Sequence, residues 1–259
     1  MMSTTSCAGF ATITPGTRRV YNVRQFDHLP ITEGRTYSEH GEDGVIASVF
    51  STIGTTNRFF VEIGCGDGTE CNTRRLAEIA EWDGFKLDCA HSDAERRVYQ
   101  ETVTPGEVRR LLHTYGCPQA PDLLSIDIDS NDWHVLHAIL QHYQPVLIVA
   151  EYNANLGFLV DATVPLYHAK WDGSRYFGAS YAAFNRLGNL FNYRTVYVEA
   201  SGTNMFMLRR DCCPQEVLDA DVAEMVDNVG VVRGGEHPTQ DRLLMDPKLR
   251  SISNRGIAS

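Results

Sequence analysis

The chain has 259 residues, 43% hydrophobic and 22% charged, a composition that excludes fibrous and disordered classes and fits a globular domain. Acidic residues outnumber basic ones 33 to 23, and the net charge of -10 disfavours a nucleic-acid partner, because phosphate contacts call for a basic face. No apolar run reaches the ~18–20 residues of a membrane span, and no basic stretch leads into an apolar one near residue 1. The expectation is therefore a cytoplasmic protein with no membrane partner, whose seven cysteines, lacking a CxxC pair, are reduced thiols.

Residues 1–36 read as a mixed N-terminal extension. In "EDGVIASVFSTIG", Val45, Ile46, Val49, Phe50 and Ile53 recur at helical spacing and Gly54 closes the run. "RFFVEIG" predicts a short buried strand. "NTRRLAEIAEW" predicts a helix from Asn72 to Trp82 with Leu76, Ile79 and Ala80 on one side. "GFKLDC" and "RVYQETVT" follow as strands, and "PGEVRRLLHTYG" as a helix opened by Pro105 and ended by Gly116. "DLLSIDID" reads as a strand, and "DWHVLHAILQHY" as a helix with Trp133, Leu136, Ile139 and Leu140 inward. "PVLIVAEYN" is apolar on both faces, as in the middle of a parallel sheet. Beyond a long aromatic loop at about 155–180, "GASYAAFNRLGNLFNY" reads as a helix, and "RTVYVEA" and "NMFMLRR" as an antiparallel pair. Residues 212–259 form a tail with one helix, "PQEVLDADVAEMVDNV". The alternation predicts an α/β, doubly wound, Rossmann-like sheet, mostly parallel. Ligands of such sheets sit at the carboxyl ends of the strands.

One strand end stands out. In "FFVEIGCGDGTE", Gly64, Gly66 and Gly68 alternate between a strand and a helix, where glycine permits tight turning and close ligand approach. A dinucleotide fingerprint is spaced G-x-G-x-x-G, to seat a pyrophosphate on a helix N-terminus. Here the spacing is G-x-G-x-G, and Glu62, Asp67 and Glu70 surround it. Carboxylates repel a pyrophosphate and suit a cationic ammonium or sulfonium centre.

"VEIGCGDG" resembles the first motif of class I S-adenosylmethionine (SAM) methyltransferases. "YSEHGEDGVIASVF", "DLLSIDIDSNDWHVLHAI", "VAEYNA" and "YFGASYAAFNRLG…GTNMFML" follow as in the FkbM-like branch, with Glu39 where a glutamine is usual. The likeness covers most of Tyr37 to Leu208 and implies a methyltransferase core over residues 37–211 with the 155–180 loop inserted as a lid. It also implies methylation of a small-molecule acceptor in natural-product or saccharide tailoring. Glu62, Gly64, Gly66 and Asp67 would lie against the methionine part of SAM, and Asp88 would bind the ribose hydroxyls.

"SIDIDSND" raises a second chemistry. Alternation in a strand puts Asp127 and Asp129 on one face, and "AEYNAN" brings Glu151 and Asn153 to the next strand end. Clustered carboxylates raise one another's pKa unless neutralised, and Mg²⁺ takes oxygen ligands. Asp127, Asp129, Glu151 and Asn153 are therefore candidate ligands for a cation that would acidify an acceptor hydroxyl. A Mg²⁺-bound diphosphate substrate would use the same groups, so O-, N- and C-methylation stay open. Alternatively Asp127 contacts SAM or a backbone amide, and Glu151 or His168 serves as general base. His40 is a further candidate base, and Asp132 reads as a helix-start residue. His134 and His137 read as exposed. Glu42 and Asp43 read as caps of the helix that follows, with Glu42 alternatively reaching the SAM amino group. A dinucleotide-dependent oxidoreductase and a non-catalytic binding protein are the rival classes, and homo-oligomerisation is left open.

Overall fold

The computed structural model describes residues 27–166, 171, 174–220 and 250–251. Helix α1 (Glu42–Ile53) is followed by β1 (Phe59–Ile63), α2 (Arg74–Glu78), β2 (Asp83–Asp88), β3 (Val98–Gln100) and α3 (Val108–Thr114). Next come β4 (Leu123–Ile126), α4 (Asp132–Leu140), β5 (Leu147–Glu151), β6 (Ala162–Thr163) and α5 (Tyr181–Leu190). The hairpin β7 (Tyr193–Val198) and β8 (Asn204–Arg209), the short α6 (Gln215–Asp219) and β9 (Arg250–Ser251) complete the order.

Seven strands form one sheet in the order β3-β2-β1-β4-β5-β8-β7. Strands β1 to β5 are parallel, and β8 is antiparallel to both β5 and β7. This is the doubly wound, mostly parallel sheet with an antiparallel C-terminal pair expected from the sequence. The chain runs outward from β1 through β2 to β3, then returns to lay β4 on the other side of β1. The strand order reverses there, so the crevice between β1 and β4 is where a ligand is expected.

Alternation along the strands divides the core. Val61, Leu124, Ile148 and Met207 face α3, α4 and α5, while Phe60, Leu123, Val149 and Phe206 face α1, Leu76 of α2 and Val217 of α6. Phe184, Leu187, Trp133 and Leu136 fill the first side, and Val45, Ile46 and Val49 the second, as their helical spacing requires. Asp122 ties the foot of the sheet together: its buried carboxylate accepts the amides of Thr56, Asn57 and Arg58 and the Thr56 hydroxyl.

Three expectations need correction. Helix α2 stops at Glu78, and the chain reverses through Glu81, at φ 55°, so Ile79 is 59% exposed instead of inward. Strand β4 ends at Ile126, so strand alternation does not place Asp127 and Asp129. His134 and His137 are half-buried rather than exposed: His134 Nε2 donates to the Val164 carbonyl at 3.0 Å, and His137 stacks on Trp133. The aromatic loop is partly a packed arm, with β6 against β9, Thr163 bridged to Ala179 and Phe177 buried. Tyr167 and His168 lie outside the described residues, as does most of the predicted tail helix, of which α6 is the described part. Among the described residues no helix is long and apolar enough to cross a membrane.

Candidate active site

A cavity of about 590 Å³ opens at the carboxyl ends of β1, β2 and β4, at the strand-order reversal. Gly64 and Gly66 form its floor. Gly64, at φ +85°, lies so close to β4 that a Cβ would stand 1.6 Å from the Asp127 carbonyl oxygen. Gly66, at φ +57°, would send a Cβ into open space. The first glycine lets two strand ends meet, and the second keeps room clear for a ligand.

Asp88 ends β2 and holds the turn in shape. Its Oδ2 accepts the Gly66 amide at 2.9 Å, and its Oδ1 accepts the amides of Ala90 and His91 at 2.8 and 3.0 Å. Burial would raise its pKa, but these bonds and that from the His91 ring outweigh it and hold the carboxyl below its ordinary value. Asp88 thus stays an anion at the cavity wall, beside the apolar Leu87, Val103, Pro105 and Ile128.

Glu62 and Asp67 are placed differently from Asp88. Glu62 is buried, and its two oxygens accept the amides of Asn72 and Thr73 and the Thr73 hydroxyl, which secures the chain entering α2. Asp67 Oδ1 accepts the Thr69 amide and hydroxyl in an exposed turn. Neither lines the cavity. Buried Cys65 and Cys71 flank the turn, and burial together with Glu62 pushes both thiols up, away from nucleophilic reactivity.

The second acidic cluster assembles although β4 ends early. The Asp127 amide donates to the Ile63 carbonyl at 2.9 Å, and Asp129 bends the chain at φ 62°, a conformation uncommon for a residue with a side chain. Buried Asp132 clamps this bend, accepting the Ile128 and Ser130 amides at 2.7 and 3.0 Å. Asp127, Asp129 and Glu151 each thereby present a carboxylate oxygen, all within 4.8 Å of one another. Burial, then the charge of Asp132, pushes Asp127 up to about 7, and Glu39 adds to the repulsion. Burial, then Asp127, raises Glu151 as well. Asp127 and Glu151 share a hydrogen bond, while Glu151 Oε2 is buried without a partner. Three crowded acids and an orphaned oxygen fit a hard cation with oxygen ligands.

Asn153 does not join them. Its Nδ2 donates to the Arg175 and Phe177 carbonyls, and its Oδ1 accepts from the Asn155 amide and side chain, so it anchors the aromatic arm. Glu42 and Asp43 do not cap the helix they open, whose N-cap is Gly41 without a side-chain bond; they hold the preceding loop instead, Asp43 Oδ2 accepting the amides of Thr36, Tyr37 and Ser38, and Glu42 Oε2 that of His40. The loop from Arg35 to Gly41 also reaches the glycine segment, through an Arg35–Glu70 ion pair and Arg74 over the Tyr37 ring at 4.1 Å. Sequence reasoning missed Asn204, which lies opposite Glu151 in the β5–β8 register. Its only signal was one amide at the head of an otherwise apolar strand.

No family model and no curated protein matches the chain. Solved structures do resemble it. A protein described as a putative O-methyltransferase from Klebsiella pneumoniae is 18% identical, with 68% of this chain and 82% of that one covered and a TM-score of 0.38. An O-methyltransferase from Bacillus cereus in complex with S-adenosylhomocysteine (SAH) is 16% identical, with 63% and 77% covered and a TM-score of 0.38. The [4+2]-cyclase SpnF is 12% identical, with 76% and 71% covered and a TM-score of 0.33. The sheet itself, with its reversal beside β1 and its antiparallel β8, is doubly wound and Rossmann-like.

Proposed function

We propose that this chain is a SAM-dependent methyltransferase of the FkbM-like kind, acting on a small-molecule acceptor in natural-product or saccharide tailoring, with O-methylation favoured. The observation that carries the reading is the lining of the 590 Å³ cavity: glycines Gly64 and Gly66, apolar residues, and four acidic residues, Asp88, Glu101, Asp127 and Asp129. A dinucleotide pyrophosphate would meet those charges unfavourably, whereas a sulfonium and an ammonium are attracted by them. The open space over Gly66 leaves room for the cofactor's chain. Bound SAM supplies an electrophilic methyl, and positioning provides most of the acceleration.

The protein's own contribution lies in holding the acceptor and taking its proton. Asp127, with a pKa near neutrality and hydrogen-bonded to Glu151, is suited to receive a hydroxyl proton at a carboxylate oxygen. Asp127, Asp129 and Glu151 would hold Mg²⁺, which when bound lowers the pKa of a coordinated hydroxyl. Without a cation the Asp127–Glu151 pair is itself the base.

Calorimetric titration with SAH tests the assignment. One site is expected, weakened at least tenfold in Asp88→Ala and unchanged in Glu151→Gln. Folded protein that binds no SAH refutes the reading, and enhanced NADH fluorescence on mixing would favour an oxidoreductase instead.

A further inference from the structure

Glu151 and Asn204 are direct partners in the antiparallel β5–β8 ladder. Directly opposed residues send their side chains to the same face, with Cβ atoms roughly 4.5–5.5 Å apart. Glu151 is 7% exposed and Asn204 4%. Each carries a buried oxygen without a hydrogen-bond partner, Glu151 Oε2 and Asn204 Oδ1.

The Asn204 amide is fixed in orientation. Its Nδ2 donates to Glu42 Oε1 at 2.8 Å, and its backbone amide donates to Glu199 Oε1 at 3.0 Å. Glu42 is itself held by the His40 amide. The amide's donor end is therefore committed toward α1, and its acceptor end is left over on the face that Asn204 shares with Glu151. An unsatisfied buried acceptor is costly, and two on facing residues, one of them within the Asp127–Asp129–Glu151 cluster, indicate a shared occupant. A hard divalent cation satisfies both together. A neutral amide suits this position, adding an oxygen without a fourth negative charge.

We propose that Asn204 Oδ1, not Asn153, is the amide ligand that completes a divalent-cation site with Asp127, Asp129 and Glu151. This rests on the cation reading given above. Asn153 has no acceptor capacity comparable to spare, since its oxygen already takes two bonds from Asn155.

The test is Mn²⁺ binding by the full chain after chelator treatment, followed by electron paramagnetic resonance of the free ion and by calorimetry. Wild type is expected to bind one Mn²⁺. Asn204→Leu, close in size but without the oxygen, is expected to lose at least tenfold in affinity with an unchanged circular dichroism spectrum. Asn204→Asp keeps an oxygen and is expected to bind at least as tightly as wild type. Glu151→Gln should weaken binding too. If Asn204→Leu is folded and binds like wild type while Glu151→Gln does not, the assignment of Asn204 is overturned and the cation site survives. If Asn204→Leu does not fold, a loss of affinity in Asn204→Asp overturns the assignment. If wild type binds no Mn²⁺ at millimolar concentration, the cation site and Asn204's place in it both fall.

Discussion

Gly64 and Gly66 are two residues apart and do opposite jobs. A methyl on Gly64 would collide with the backbone of Asp127, and that backbone is held to β1 by the Asp127 amide on the Ile63 carbonyl. A methyl on Gly66 would meet nothing. Gly64→Ala should therefore melt far below wild type or fail to accumulate. Gly66→Ala should fold, at about 1–2 kcal/mol for its left-handed conformation, and should bind SAH more weakly because the methyl enters the cavity. Thermal melts and SAH titration of the two variants check this, and a Gly64→Ala protein that melts like wild type would contradict it. The special role of these glycines was legible in the sequence, since their spacing after a strand requires a turn. The duties of the acids around them were not. Whether Glu62 faces a ligand or the Asn72 and Thr73 amides depends on where the chain returns after the turn.

Among the elements, the strands were read best, because β1, β4 and β5 are buried on both faces and appear as short apolar runs. Helices α1, α4 and α5 announced themselves by their spacing. Helix α2 did not show its end, because Ile79 is apolar in the sequence yet lies beyond the last turn. Strand β4 was extended too far for a related reason: "SIDID" alternates like a strand, but the Asp132 carboxylate captures the Ile128 and Ser130 amides and bends the chain. Carboxylates that gather backbone amides recur, and Asp122 is the clearest. Asp122→Ala removes the acceptor for three amides and a hydroxyl at the far end of the sheet from the cavity. The expected loss is about 2 kcal/mol, or roughly 4–8 °C in thermal midpoint for a chain of this size. SAH affinity at low temperature should stay unchanged. A variant that melts normally but binds SAH poorly would show that this end of the sheet communicates with the site.

The folded chain buries acidic groups beside the cavity, and this shapes its response to pH. Asp127 is raised to about 7 and Asp132 to about 6, in each case first by burial, from an ordinary value of 3.8. The folded chain therefore holds these protons more tightly than the unfolded chain does. Stability from this source is complete at low pH and declines as pH rises through the folded values. In chelator, the thermal midpoint should fall between about pH 5 and pH 7, and Mn²⁺ should restore it at the upper end. A midpoint that climbs across that interval in chelator, and ignores Mn²⁺, would contradict the crowding of these acids. The contact between Gly64 and the Asp127 carbonyl, with the Asp127 amide on Ile63, has a wider consequence. It ties the glycine floor of the cavity to the backbone that carries Asp127 and Asp129. Where a cation drawn in by those acids shifts that backbone, it shifts the glycine floor as well, and any gain in SAH affinity that follows is matched by an equal gain in affinity for the cation.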